Sequence, residues 1–118
     1  MEIQTSIVVP VFNSSSTIIE LVKEISKLEG NPLVGKMELI LVNDGSDDDV
    51  GKIIREKILT DGSSFDIRLI EMARNYGQKG AILAGWKQAS GEIIIQIDDD
   101  LQWSPADIPE ILSKFNEE

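Results

Sequence analysis

Apolar runs of strand length alternate along this chain with stretches whose apolar positions recur every three or four residues. "SIVVPVF" (6–12) is almost continuously apolar and reads as a buried strand ending near Pro10. In "STIIELVKEISKLEG" (16–30), Ile18, Leu21, Val22, Ile25 and Leu28 share one helical stripe, and Gly30-Asn31-Pro32 stops the helix. "MELILVNDGS" (37–46) is a second strand with its exit turn. "SDDDVGKIIREKI" (46–58) predicts a helix capped by Ser46 with Asp49 three residues on, and with Val50, Ile53, Ile54 and Ile58 on its buried face. "FDIRLIEMA" (65–73) alternates as a third strand, "GQKGAILAGWKQASG" (77–91) is a helix, and "EIIIQI" (92–97) is a fourth strand. Ser104 and Pro105 suit the cap and first position of a last helix. Its apolar face would hold Ile108, Ile111, Leu112 and Phe115, and Pro109 would kink or restart it.

The order βαβαβαβα predicts an α/β fold, an open, mostly parallel sheet with helices on both faces. Right-handed crossovers in such a sheet place ligands beyond the carboxyl ends of the strands. Polar residues gather there: Phe12-Asn13-Ser14 after strand one and Asn43-Asp44-Gly45 after strand two. Arg74-Asn75-Tyr76-Gly77 follow strand three, and Asp98-Asp99-Asp100 follow strand four.

Composition narrows the chemistry. The 118 residues make one domain at most, with 42% apolar and 27% charged positions, as in a soluble globular protein. A net charge of −10 argues against nucleic acid or an anionic membrane surface as the partner of this segment. There is no cysteine and no histidine, which removes thiol nucleophiles, histidine-based triads and the usual zinc sites. Any metal must therefore be held by oxygen, which favours Mg2+ or Mn2+. Absence of cysteine is compatible with a cytoplasmic setting. No apolar run approaches the roughly 20 residues of a membrane span.

Three adjacent carboxylates at the end of an apolar strand repel one another unless a cation joins them. An isolated acidic triplet would merely solvate a loop and favour the next helix N-terminus. Here Asp98 and Asp100 flank one residue and can turn toward a common point, with Gln102 offering another oxygen. A hard divalent ion held there could bridge to a diphosphate. Asp44 lies one crossover away, where it could accept from a base N–H or a ribose hydroxyl, although "NDG" is also a good turn. Asp47, Asp48 and Asp49 fit the first turn of a helix. Arg74 is the obvious cation for a phosphate, with a surface ion pair as its alternative; Lys79 is a weaker candidate. Ala81, Gly85 and Ala89 recur every four residues and would let their helix approach the sheet closely. Trp103 either walls the site or packs under the last helix.

"VVPVFN", "LVNDGSDD", "RNYGQKGAILAGWKQASGE" and "IDDDLQWSPADIPEI" together resemble the N-terminal half of family 2 glycosyltransferases with a GT-A fold. The likeness is strongest to the polyprenyl-phosphate branch, which includes dolichyl-phosphate mannose synthase and undecaprenyl-phosphate sugar transferases. The resemblance implies a Rossmann-like nucleotide-sugar-binding half and a UDP- or GDP-linked donor with a divalent metal at the DxD. It implies transfer, with inversion at the anomeric carbon, to an acceptor such as a polyprenyl phosphate. By that likeness Pro10, Phe12 and Ser14 would line the donor nucleotide site, and Val42 and Asp44 would meet base or ribose. Asp98 and Asp99 would contact the donor, and Asp98, Asp100 and Gln102 would face the metal.

Three positions depart from the family pattern. Phe12 replaces a usual tyrosine, Ser14 a usual glutamate, and Asp99 a residue that is commonly small. Residues 1–118 are expected to be the donor-binding part of a longer domain, with acceptor residues and any catalytic base beyond Glu118. The whole protein would then sit in the cytoplasm or at the cytoplasmic face of a membrane. Three other classes compete with this reading. A Mg2+-dependent phosphate-handling domain would want an aspartate directly after strand one, where Pro10, Phe12 and Asn13 stand. A dinucleotide-binding oxidoreductase would want G-x-G-x-x-G there, and it is missing. A non-catalytic nucleotide-binding module remains the alternative for the segment in isolation.

Overall fold

The computed structural model describes residues 2–102 and 104–116. Four parallel strands, β1 (Thr5–Val11), β2 (Met37–Asn43), β3 (Asp66–Glu71) and β4 (Ile93–Gln96), form one sheet in the order β3-β2-β1-β4. The winding reverses between β1 and β4, so the ligand-binding crevice of such a sheet falls beside the end of β1. β1 runs one residue past Pro10, although proline cannot donate to a sheet ladder. Local pairing explains the tolerance. The Val8 carbonyl accepts from Ile97 on the β4 side, and the Val11 carbonyl accepts from Asp44 on the β2 side. Strand alternation therefore turns Pro10 toward β4, whose ladder with β1 ends at Gln96.

Alternation along β1 and β2 also builds two cores. Ile7, Val9, Val11, Leu39 and Leu41 face α1 (Ile18–Ser26), the helix beginning with α2 (Val50–Ile53), and α4 (Ile108–Asn116). Val8, Ile40 and Val42 face α3 (Gln78–Gln88). All of these strand side chains are fully buried, and each contributes about 1.5–3 kcal/mol of hydrophobic stabilisation. The small stripe on α3 has the expected meaning, since Ala81 and Gly85 are its buried residues. A Cβ on Gly85 would stand 2.4 Å from Val8 Cγ1, so only glycine permits this approach.

Three elements differ from the sequence expectation. The second helix starts at Val50, not near Ser46, and passes through a π turn (Ile54–Ile58) and a 3-10 turn (Leu59–Asp61). Ser46 is not its cap, because its hydroxyl donates to Asn43 Oδ1 at 2.6 Å. At the last helix the expected capping is present: Ser104 Oγ accepts from the Ala106 N–H at 3.2 Å, and Pro105 opens a 3-10 turn that leads into α4. Pro109 falls in the first turn of α4, where its missing N–H breaks no helical bond. Only Ile108 and Leu112 of the expected apolar face are buried there, while Ile111 and Phe115 are exposed. β4 is likewise half open, with Ile93 and Ile95 against the larger core and Ile94 exposed on the other face. α3 packs over β1 and β2, which leaves that face of β4 uncovered.

Candidate functional site

The loops that follow the four strands converge on one rim and are tied together by side-chain hydrogen bonds. Asn13, in a left-handed conformation with φ 52°, accepts through Oδ1 from the Asp47 N–H at 2.7 Å. Its own N–H donates to Ser46 Oγ at 3.0 Å. Asp48 accepts from the Ser15 N–H at 3.0 Å and from the Val50 N–H at 3.1 Å. Partial burial works against the charge of Asp48, but these backbone donors outweigh it and hold the carboxyl below its ordinary range. Asp48 therefore joins two loops, where a role within the first turn of a helix was expected. Asp44 is 3% exposed and accepts from the Tyr76 N–H at 2.8 Å, which joins the second loop to the third.

Gly45 makes that junction possible. With φ 65° it occupies the left-handed region, and a Cβ there would lie 2.4 Å from the Asn75 nitrogen. The fourth loop is fastened to the first by Asp99, whose Oδ2 accepts from the Phe12 N–H at 2.9 Å. The Asp99 carbonyl also accepts from the Thr17 hydroxyl at 2.7 Å. Leu101, at φ 63°, holds the turn after the aspartates in a conformation that side chains seldom adopt.

These loops enclose a cavity of about 360 Å³ lined by Pro10, Val11, Phe12, Asp44, Asn75, Gly77, Gln78 and Asp98 to Asp100. That volume lies within the roughly 300–1,000 Å³ of small-molecule sites. Asp98 Oδ1 accepts from the side-chain amides of Gln78 and Gln96, each at 3.0 Å. Asp100 Oδ1 accepts from the Gln102 N–H at 3.1 Å. Each of these carboxylates keeps its second oxygen without a donor among the described residues. No group of three or more carboxylate, imidazole or thiol side chains gathers at metal-ligand spacing among them. Two carboxylates with free oxygens beside a cavity fit Mg2+ or Mn2+, which take one or two protein carboxylates and complete their shell with water and phosphate. They do not fit an ion that needs an all-protein cage.

Of the residues singled out from sequence, Pro10, Phe12, Asp44, Asp98, Asp99 and Asp100 meet in this cavity, and Ser14, Val42, Arg74 and Gln102 lie outside its lining. The Val42 side chain belongs to the core beneath α3. Ser14 is buried, and its hydroxyl has no partner among the described residues. Arg74 lies over the Tyr76 ring, 4.9 Å from its centre. Gln102 is exposed and engages Asp100 through its backbone. Trp103 lies outside the described residues. Sequence reasoning missed Gln78, which reaches Asp98 from the first turn of α3, and the cross-loop role of Asn13. An asparagine directly after a strand is a usable signal for the second, because asparagine tolerates the left-handed region.

Comparison with known proteins identifies the family and the fold. The family model described as "Glycosyl transferase family 2" matches residues 6–118. An undecaprenyl-phosphate 4-deoxy-4-formamido-L-arabinose transferase from Klebsiella pneumoniae subsp. pneumoniae is 34% identical over 114 residues, covering 97% of this chain and 34% of the relative. A protein of the same description from Pseudomonas fluorescens is 36% identical over 109 residues, covering 92% of this chain and 31% of the relative. The chain thus spans about a third of the length of the curated relatives it matches. Among solved structures, a mannosyltransferase from Pyrobaculum calidifontis in complex with GDP-Man and Mn2+ superposes with a TM-score of 0.77 at 23% identity, over 92% of this chain and 31% of that one. TarS from S. aureus in complex with UDP gives 0.75 at 23% identity, over 97% of this chain and 32% of that one. At that identity the two structures establish the shared fold. Among the described residues no helix is long and apolar enough to cross a membrane.

Proposed function

Because this chain belongs to glycosyltransferase family 2, we propose that it is the donor-binding part of an enzyme that transfers a sugar from a UDP- or GDP-linked donor with the help of Mg2+ or Mn2+. The observation that carries this reading is the convergence of Asp98 and Asp100, each with a free oxygen, on a cavity walled by Pro10, Phe12 and Asp44. Phe12 and Pro10 offer apolar surface to a base, and Asp44 offers an acceptor to a base N–H or a ribose hydroxyl. Asp98 and Asp100 would hold the metal, which when bound offsets the negative charge of a departing diphosphate. Gln78 and Gln96 fix the Asp98 carboxylate through its other oxygen, so it need not reorganise when the ligand arrives. Arg74 can reach a phosphate only by leaving the Tyr76 ring, and Ser14, Val42 and Gln102 act on the site through backbone or loop shape.

The acceptor is a polyprenyl phosphate. The polyprenyl-phosphate transferases at 34–36% identity support this assignment. Such a lipid would bring the whole protein to the cytoplasmic face of a membrane. The acceptor-binding residues and any catalytic base belong to the remainder of the domain. The sheet edge at β4, with Ile94 exposed on one face and Ile111 and Phe115 exposed on α4, supports a continuation of the protein around this edge.

Calorimetric titration of UDP, GDP and NAD, with and without Mn2+, tests the reading. Binding of UDP or GDP that requires the metal, with no NAD binding, is the expected result. Metal-independent nucleotide binding, or NAD binding, contradicts it.

A further inference from the structure

The three adjacent aspartates make different contacts. The donors to Asp98 come from its own strand and from α3, and the donor to Asp100 comes from its own turn. Asp99 alone of the three reaches the loop after β1. Its carboxylate takes the Phe12 N–H at 2.9 Å, and its carbonyl takes the Thr17 hydroxyl at 2.7 Å. Both bonds join segments more than eighty residues apart in sequence, 87 for Phe12 and 82 for Thr17. The turn they hold is conformationally unfavourable, because Leu101 sits at φ 63°. External ties are what keep such a turn in one shape. A small side chain at position 99 would leave the Phe12 N–H to water and remove one of the two.

Resting on the donor-site reading above, we propose that Asp99 is a positioning residue: its carboxylate, as an acceptor for the Phe12 N–H, clamps the aspartate turn to the β1 loop and so aims Asp98 and Asp100 into the shared cavity. Its oxygen matters here as an acceptor, and its charge is secondary. Asparagine presents an acceptor oxygen of the same reach, whereas alanine presents none. This contrast separates a clamp from a residue that contacts metal or donor through its charge.

The test compares the unaltered chain with Asp99→Asn, Asp99→Ala and Thr17→Val. Mn2+ affinity is read by electron paramagnetic resonance, and UDP and GDP affinity by calorimetry. The Phe12 amide is followed by NMR hydrogen exchange without metal, and folding is checked by circular dichroism. Asp99→Ala is expected to weaken Mn2+ binding about 10- to 100-fold, as loss of a partner behind a metal ligand does. Its Phe12 amide should lose protection. Asp99→Asn should keep both properties close to those of the unaltered chain. Thr17→Val, which cuts the second tie without touching a carboxylate, should shift Mn2+ affinity in the same direction as Asp99→Ala, and it decides the matter with Asp99→Asn if the alanine variant does not fold. An asparagine variant as weak as alanine would overturn the clamp in favour of direct charge contact. Unchanged affinity in Asp99→Ala would overturn it too. If the unaltered chain shows no Mn2+-dependent nucleotide binding, the donor-site reading fails and the clamp falls with it; if it binds normally and only the asparagine rescue fails, the clamp alone is lost.

Discussion

Two sets of carboxylates stand at opposite ends of the same sheet. Glu38, near the start of β2, is 2% exposed and accepts four hydrogen bonds: from Ser6 Oγ at 2.5 Å, from the Ser90 N–H at 2.7 Å and hydroxyl at 3.0 Å, and from Arg68 Nη2 at 2.8 Å. The same Arg68 nitrogen donates to the Gln88 carbonyl at 2.7 Å, which fastens the end of α3. Burial alone would raise the Glu38 pKa, but the serine donors and the arginine charge outweigh it and hold it below the ordinary value of 4.5. Asp98 and Asp100, past the end of β4, are each satisfied at one oxygen and, among the described residues, bare at the other, beside a cavity. Both sites are built from carboxylates. What distinguishes them is how completely the protein satisfies the oxygens. A carboxylate supplied with every donor it can use is a fastener; one left with an open oxygen beside a cavity is free to take a ligand.

Breaking the saturated end should give the largest change. Glu38→Ala leaves Arg68 and two serines without their shared acceptor, and a loss of about 3 kcal/mol in unfolding free energy is expected in urea titrations. Mn2+-dependent nucleotide binding by the folded molecules should persist, since the cavity lies at the other end. Gly45→Ala attacks the open end through its backbone. A Cβ forced into the left-handed region against Asn75 is expected to cost about 2 kcal/mol, and here nucleotide affinity should fall together with stability. Asp100→Asn reverses the pattern of Glu38→Ala. Nucleotide binding in Mn2+ should weaken at least tenfold, or about 1.4 kcal/mol, while urea titrations show a stability change within about 0.5 kcal/mol.

The smallest effect is in the acid limb. A carboxyl whose folded pKa is lowered stabilises the protein fully above its unfolded value and loses that contribution as pH falls through the folded value. Stability should therefore decline below pH 4.5, and Glu38→Gln should flatten that decline, read from unfolding midpoints across pH.

The contrast between the two ends was only half readable in the sequence. Strand and helix order followed from apolar periodicity, because β1 and β2 are buried on both faces and leave continuous apolar runs. The acidic triplet and Asp44 announced the upper rim, because polar residues at strand ends are conspicuous against such runs. Glu38 escaped notice: one acidic residue inside "MELILVN" carries no sign that Ser6, Arg68 and Ser90 will surround it, since all three arrive through tertiary pairing. The start of the second helix was misplaced for a similar reason. Ser46 is a good cap locally, but its hydroxyl donates to Asn43 within the turn and accepts from the Asn13 N–H across the rim. The open face of "EIIIQI" is not legible in the sequence, because periodicity reports apolar content and is blind to which strand lies at an edge.

The most direct measurement is anomalous X-ray scattering from crystals of this chain soaked with Mn2+ and UDP or GDP. The account predicts a single strong manganese peak within coordination distance of Asp98 and Asp100, with the diphosphate on its far side and the nucleoside against Phe12 and Asp44. A nucleotide bound elsewhere, or a manganese peak away from both aspartates, would contradict it.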